Sequence, residues 1–164
     1  MEQKETIFQS LLTDHIDSIY RICWGFAKTN DDVQDLFQEI MMNIWRGLDR
    51  FKGHSEISTW TYRISVNTCL IWKRTKKRRI NTDETSDKIP ELKGRTVEED
   101  YIQSEKIIRL RAAINTLKKI DRSIALLLLE ELSYKEIANI TGLTVSNVGV
   151  KISRIKTELK RKLQ

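Results

Sequence analysis

The chain has 164 residues, enough for one ordinary domain or two small ones. Apolar residues make up 40% and charged residues 32%, which excludes a disordered chain, while one proline and six glycines argue against a turn-rich all-β fold and leave room for long helices. The net charge of +6 suggests an anionic partner, such as nucleic acid or an acidic membrane surface.

The N-terminal stretch MEQKETIFQS lacks the basic and apolar regions of a secretory signal. The longest apolar run, Ile124 to Leu129, is far too short to cross a bilayer. A cytoplasmic protein is expected. Cys23 and Cys69 lie far apart in apolar-periodic segments and read as small core residues in a reducing compartment. They do not form a metal-ligand cluster.

From about Thr6 to Lys28, Ile7, Leu11, Ile16, Ile19, Ile22, Cys23 and Phe26 fall mostly at helical spacing. Asn30, followed by Asp31 and Asp32, reads as the capped start of a second helix ending near Leu48. Its apolar stripe is Val33, Leu36, Phe37, Ile40, Met41, Ile44, Trp45 and Leu48. Asp35, Glu39, Asn43 and Arg46 line a polar face, either plain solvated surface or a docking patch for a basic partner.

A loop from Asp49 to about Glu56 contains Gly53, and a third helix follows from near Ser58 to Arg79. It carries Trp60, Ile64, Ile71 and Trp72, then the run Lys73-Arg74-Thr75-Lys76-Lys77-Arg78-Arg79. Most such runs are solvated helix ends. Here Trp60, Tyr62 and Trp72 precede it, and aromatics mixed with bases suit strand-separated DNA, which needs stacking surfaces and phosphate contacts. Some of these rings must still serve the core, and Trp60 is expected to be largely packed.

Residues 80–97 are rich in Asn, Thr, Asp and Glu, hold Pro90 and Gly94, and show no period; they read as a linker. Helices resume near Glu98 and run to Leu117, and Asp121 is placed to cap a short helix through the leucine run. Ser133-Tyr134-Lys135-Glu136 is a capping box that opens another short helix. Thr141-Gly142-Leu143 makes a turn, and a long helix starts near Val145. The fold class is therefore all-α, with two small modules: residues 1–79, a linker 80–98, and residues 99–164.

Ser133–Arg154 has the spacing of a helix-turn-helix. Ala138 sits where the first helix must admit the second, and Gly142 where the turn needs a positive φ. On the last helix Val148, Ile152, Ile155, Leu159 and Leu163 form a buried stripe. The opposite face shows Ser146, Val150, Ser153, Arg154, Thr157, Lys160 and Arg161. In a major groove the early outward residues read bases and the basic ones grip phosphates. An exposed mid-helix valine such as Val150 needs something to cover it, and a thymine methyl is a suitable partner. Gly149 costs the helix roughly 1 kcal/mol, which fits a close approach of backbone to DNA.

Three ordered motifs carry a resemblance to the extracytoplasmic-function (ECF) sigma factors over nearly the whole chain. Asp32-Val33-Gln34-Asp35-Leu36-Phe37-Gln38-Glu39 with Trp45-Arg46 resembles the "DAEDLVQE…WR" stretch of sigma region 2.2. Phe51-Lys52-Gly53 and the stretch Ser58 to Asn67 resemble regions 2.3 and 2.4. Leu132 to Ala138 with Gly142-Leu143-Thr144 resembles the start of region 4.2.

The resemblance implies a factor that binds core RNA polymerase and directs it to promoters. It implies that Asp35, Gln38, Glu39 and Trp45 dock on the clamp helices of the polymerase β′ subunit, with the β flap as a second contact. The loop Lys52–Ile57, including His54 and Ser55, would capture a base flipped from the −10 element. Arg63 and Asn67 would lie near its upstream end, with Lys73 and Arg74 beyond. Gly149, Val150, Ser153 and Arg154 match −35 readout positions, and Ser146, Lys151 and Arg161 join that DNA-binding set. Many relatives carry Arg or Lys at Gly149 and often Arg at Lys151, so this chain departs from the pattern there. The acid-rich linker would suit a basic channel of the polymerase. An anti-sigma factor, membrane-anchored in some relatives, is a further implied partner.

A helix-turn-helix regulator with an N-terminal sensing or dimerisation module would explain Ser133–Arg161 but not the acidic face and the aromatic-basic helix. No enzyme is expected: the sequence offers no catalytic group, no metal site and no cofactor motif, and His15 and His54 are isolated. No small-molecule substrate is expected either.

Overall fold

The apolar periods fold as helices throughout the computed structural model, which describes residues 1–79 and 105–164, with side chains for 1–72 and 105–164. Three helices make the first module: α1 (Glu2–Phe26), α2 (Asn30–Leu48) and α3 (Ile57–Arg79). Four make the second: α4 (Glu105–Asn115), α5 (Lys119–Leu129), α6 (Tyr134–Thr141) and α7 (Val145–Leu163). The expected linker and the predicted helix start at Glu98 lie outside the described residues.

Helix starts follow local chemistry, with two corrections. Thr29, not Asn30, caps α2: its backbone is extended and its hydroxyl accepts from the Asp32 N–H at 3.2 Å. Asn30 is already helical. Asp121 does not cap α5. It lies in the first turn, where its carboxylate accepts from Lys151 Nζ at 3.1 Å, and Lys118 occupies the cap position without a side-chain bond. The Ser133 capping box forms as read, with Glu136 N–H on Ser133 Oγ at 3.1 Å and Ser133 N–H on Glu136 Oε2 at 2.7 Å. Gly142 ends α6 at φ 76°, and Thr144 then caps α7.

In the first module α1, α2 and α3 pack pairwise. Phe8, Leu11, Leu12, Ile19 and Ile22 of α1 are buried, as are Leu36, Ile40 and Ile44 of α2 and Val66, Cys69 and Trp72 of α3. In the second, α7 packs on α4, α5 and α6, burying Val148, Ile152 and Ile155 with Ile114, Ile124, Leu127 and Ile137. Each module has a small core, and small cores gain from further burial.

That further burial comes from the other module. One hydrophobic cluster runs through both sets of helices, with α1 packed on α4 and α5, and α3 on α5 and α6. The helices come close at Gly25, where an added Cβ would stand 2.3 Å from Leu126 Cδ2. A polar rim surrounds it. Arg21 grips Glu130 with two bonds of 2.6 and 2.7 Å. Arg111 donates to the Trp24 and Ala27 carbonyls at 2.9 and 2.7 Å, satisfying the end of α1 from the other module.

The two helix-turn-helix glycines should answer the same substitution with opposite signs. Gly142→Ala forces a left-handed φ on a residue with a Cβ and should destabilise the protein by about 1–2 kcal/mol. Gly149→Ala meets only the Tyr134 ring at 3.7 Å, an ordinary contact, and should stabilise by up to about 1 kcal/mol. Urea unfolding of the two variants measures both; a destabilised Gly149→Ala would mean that α7 needs a bare backbone there.

Candidate nucleic-acid interface

The buried stripe of α7 fixes which residues point out. With Val148, Ile152 and Ile155 in the core, Ser146, Val150, Ser153, Arg154 and Arg161 stand exposed along one face. Val150 is 49% exposed, so the valine is uncovered in the free chain. The capping box and the Gly142 turn hold α6 behind this face, which leaves α7 as the outer helix of the pair. Lys151 is not on the same face. It is half-buried beside the core stripe and bound to Asp121 of α5. Gly149 flanks the exposed face on its other side, against the ring of Tyr134. Tyr134 and Val145 are themselves 40% and 49% exposed, so the apolar part of this surface is wider than Val150 alone. The signal for Tyr134 was present in the sequence as a ring at the first position of α6 facing a glycine, but only the packing of α6 on α7 joins the two.

The loop between α2 and α3 presents Lys52 and His54 to solvent, with Ser55 and Ile57 half-buried beneath. Its base is held by Phe51 against Trp60, ring centroids 5.0 Å apart. Trp60 is thus packed only in part, less than the largely packed ring expected. The stacking role expected of the other two rings on α3 does not hold. Tyr62 and Trp72 are each only 6% exposed. Tyr62 faces α1, where it meets His15 edge-on at 5.5 Å, and burial pushes its phenol pKa up. The helical period puts both rings on the side of α3 that the core needs, so they cannot also stack on bases. Asn67 is exposed. Arg63 is half-buried and donates to the Asn139 carbonyl of α6 at 2.7 Å. Lys73 and Arg74 continue α3, but their side chains lie outside those described.

On α2 the same logic leaves Asp35 and Gln38 exposed and Glu39 half-buried along the face opposite Leu36, Ile40 and Ile44. Arg46 ends this face. Asn43 turns instead to α3, donating to Thr68 Oγ1 at 3.0 Å. Trp45 sits at the border with α1: its ring meets Phe8 edge-on at 5.2 Å, and Lys4 Nζ lies 4.2 Å from its centre.

These features define a two-module helical reader of nucleic acid: a helix-turn-helix with an open outer face, joined to a three-helix unit with an acidic face and a projecting basic loop. Residues 11–79 match the family model of Sigma-70 region 2, and residues 107–159 match that of Sigma-70, region 4. The chain is 30% identical to the RNA polymerase sigma factor YlaC of Bacillus subtilis, with 92% of each chain covered. It is also 30% identical to the ECF RNA polymerase sigma-E factor of Haemophilus influenzae, over 96% of this chain and 87% of that one. Among solved structures it is similar to CnrH in complex with the cytosolic domain of CnrY, at TM-score 0.70, 20% identity and coverage of 99% and 93%. It is likewise similar to the sigma factor RpoE in complex with the anti-sigma factor NepR from Bartonella quintana, at TM-score 0.66, 20% identity and coverage of 95% and 96%. The chain belongs to the ECF-type RNA polymerase sigma factors. Its function is to direct core RNA polymerase to promoters. A plain helix-turn-helix regulator would leave residues 11–79 without an explanation.

The placement of Trp72 in the core has a direct consequence. Trp72→Ala should cost about 3–5 kcal/mol of stability, as expected for a buried tryptophan. Denaturant unfolding checks it; a loss below about 1 kcal/mol would put the ring outside the core.

Proposed function

We propose that docking and promoter readout are divided among three surfaces that the core leaves outward. The face of Asp35, Gln38 and Glu39, bordered by Trp45, docks on the clamp helices of the polymerase β′ subunit, while the second module meets the β flap. The loop residues Lys52, His54, Ser55 and Ile57 take a flipped base of the −10 element, with Arg63, Asn67, Lys73 and Arg74 on the adjoining strand and backbone. Ser146, Val150, Ser153, Arg154 and Arg161 read or grip the −35 element. Gly149 lets α7 come close, and Lys151 contributes only where it leaves Asp121. Residues 1–79 then form the docking and −10 module and residues 99–164 the −35 module, joined through 80–98.

The observation that carries the −35 assignment is Val150, an exposed valine set between Ser146, Ser153 and Arg154 on the outer helix. Apolar contact with a thymine methyl gives it a partner, and Arg154 can donate twice to a guanine edge. Support for the docking face is its charge: acids on a rigid helix, Asp35 exposed and Glu39 half-buried, suit a basic partner and set its orientation. The chain acts by recognition in the cytoplasm, where the polymerase it serves works, without catalysis of its own. A protein of the anti-sigma class, soluble or membrane-anchored, is its negative partner, in line with the complex of the similar RpoE.

Two experiments test this division. Asp35→Lys with Glu39→Lys should weaken binding to core polymerase at least about tenfold while helical content stays unchanged. A folded double variant with unaltered affinity overturns the docking face. For the −35 surface, full-length protein is titrated onto −35 duplexes carrying thymine or uracil at each position. Val150→Ala should lose affinity only where the methyl is present and leave the salt slope unchanged. Arg154→Ala should relax one base preference at a cost of about 1–3 kcal/mol, or else lower the salt slope by about one if it holds phosphate. Equal losses of Val150→Ala on thymine and uracil would rule out the methyl contact.

A further inference from the structure

Cys23 and Cys69 are the two cysteines of the chain, and neither belongs to a surface described above. Along the sequence they read as separate core residues. The packing of α1 on α3 joins them. His15 of α1 meets Tyr62 of α3 edge-on at 5.5 Å, which sets the register of the two helices. From that contact Cys23 lies eight residues on along α1, and Cys69 seven residues on along α3. At 1.5 Å per residue each has advanced about 10–12 Å, or two turns, and so returns to the facing side of its helix. Both are buried in the same apolar cluster, Cys23 at 0% and Cys69 at 5% exposure, and their thiols share a hydrogen bond.

We propose that Cys23 and Cys69 are a reversible oxidation site, which a hydroperoxide converts to a disulfide that braces α1 on α3. Closure needs the sulfurs to approach to about 2.05 Å, a change that rotation of the two side chains and a small shift of the helices can supply. The two thiols have different parts. Cys69, the one with residual exposure, meets the oxidant first. Its sulfur attacks the peroxide, the O–O bond breaks, and water or an alcohol leaves, giving a sulfenic acid at Cys69. The Cys23 sulfur then attacks that sulfur. The S–S bond forms, the S–O bond breaks, and water leaves with the Cys23 proton. Two thiols are oxidised and one hydroperoxide is reduced. Burial pushes the Cys23 thiol pKa well up, which keeps it protonated until Cys69 has reacted. In a reducing compartment such a bond is transient, so the brace closes only while oxidant is present.

The disulfide would close a loop that contains all of α2. It would therefore remove conformational freedom chiefly from the unfolded chain and raise the stability of the folded one.

The test treats folded, reduced full-length protein with excess hydrogen peroxide, blocks remaining thiols with iodoacetamide, and digests with trypsin without reductant. Trypsin cuts after Arg21, Lys28, Arg63 and Lys73, so the disulfide appears as Ile22–Lys28 joined to Ile64–Lys73. Most of the oxidised protein should carry this joined peptide and run as a monomer on a non-reducing gel, and dithiothreitol should separate the two halves. Oxidation should raise the melting temperature by about 5 °C, reversed by dithiothreitol. Cys23→Ala and Cys69→Ala should each abolish the joined peptide and the rise. With Cys23→Ala the remaining Cys69 has no neighbour to capture its sulfenic acid and should go on to sulfinic acid. With Cys69→Ala the remaining Cys23 should stay a thiol. The peptide map of the wild type stands by itself if a variant fails to fold. Separate sulfinic acids on the two wild-type peptides, disulfides between chains, or two thiols that survive peroxide able to oxidise free cysteine would each overturn the site. A disulfide that forms but leaves the melting temperature unchanged or lower would reject the brace.

Discussion

The meeting of α1 and α5 at Gly25 and Leu126 organises the whole chain. A side chain on α1 there would have to displace Leu126, since a Cβ would lie 2.3 Å from Leu126 Cδ2. Because it is a glycine, two modules with small separate cores share one apolar cluster. Around it lie groups that burial would otherwise penalise. The carbonyls at the end of α1 are met by Arg111, and the Glu130 carboxylate by Arg21. Each polar partner sits in the opposite module, so closing the seam buries these groups with a partner rather than without one. The rest of the architecture, including which faces remain open, is arranged about this contact.

The open faces follow from the helix period. A helix that commits one stripe to a core must present the opposite one, and α2 and α7 each do so. Their outward residues differ in chemistry. On α2 the face is acidic, suited to a basic protein surface. On α7 it is basic, hydroxylic and apolar, suited to phosphates and base edges. In the proposed division of labour the two faces let one chain hold polymerase and promoter together. The helices are rigid supports in each case, and the one loop among the three surfaces is anchored at its base by Phe51 on Trp60.

Much of this was legible in the sequence. The stripes of α2 and α7, the capping box at Ser133 and the turn at Gly142 are local devices, with partners within a few residues, and the structure places them as read except that Leu159 and Leu163, at the end of the α7 stripe, are only half-buried. The errors arise where adjacent residues compete for one role or where packing intervenes. Thr29 caps α2 because its backbone is extended while that of Asn30 is not, and side-chain type cannot separate two adjacent cap-formers. Asp121 left its cap for Lys151, thirty residues on, a competitor that no local pattern reveals. Tyr62 and Trp72 had the residue types for stacking on bases, yet the core took both rings.

What the sequence determined by itself is therefore everything that depends on short range: the helices, their buried and outward faces, the helix-turn-helix, and the motifs that mark a sigma factor. What only the tertiary structure decided is which side chains are free to act. Lys151 is drawn to Asp121, Asn43 to Thr68, Arg63 to Asn139, and Arg21 to Glu130. All four pairings join groups on different helices or, for Glu130, at the end of one. A charge or a donor settles on whichever partner the packing brings within about 3 Å, and that distance is set by the approach of whole helices, which the spacing of residues along the chain does not encode.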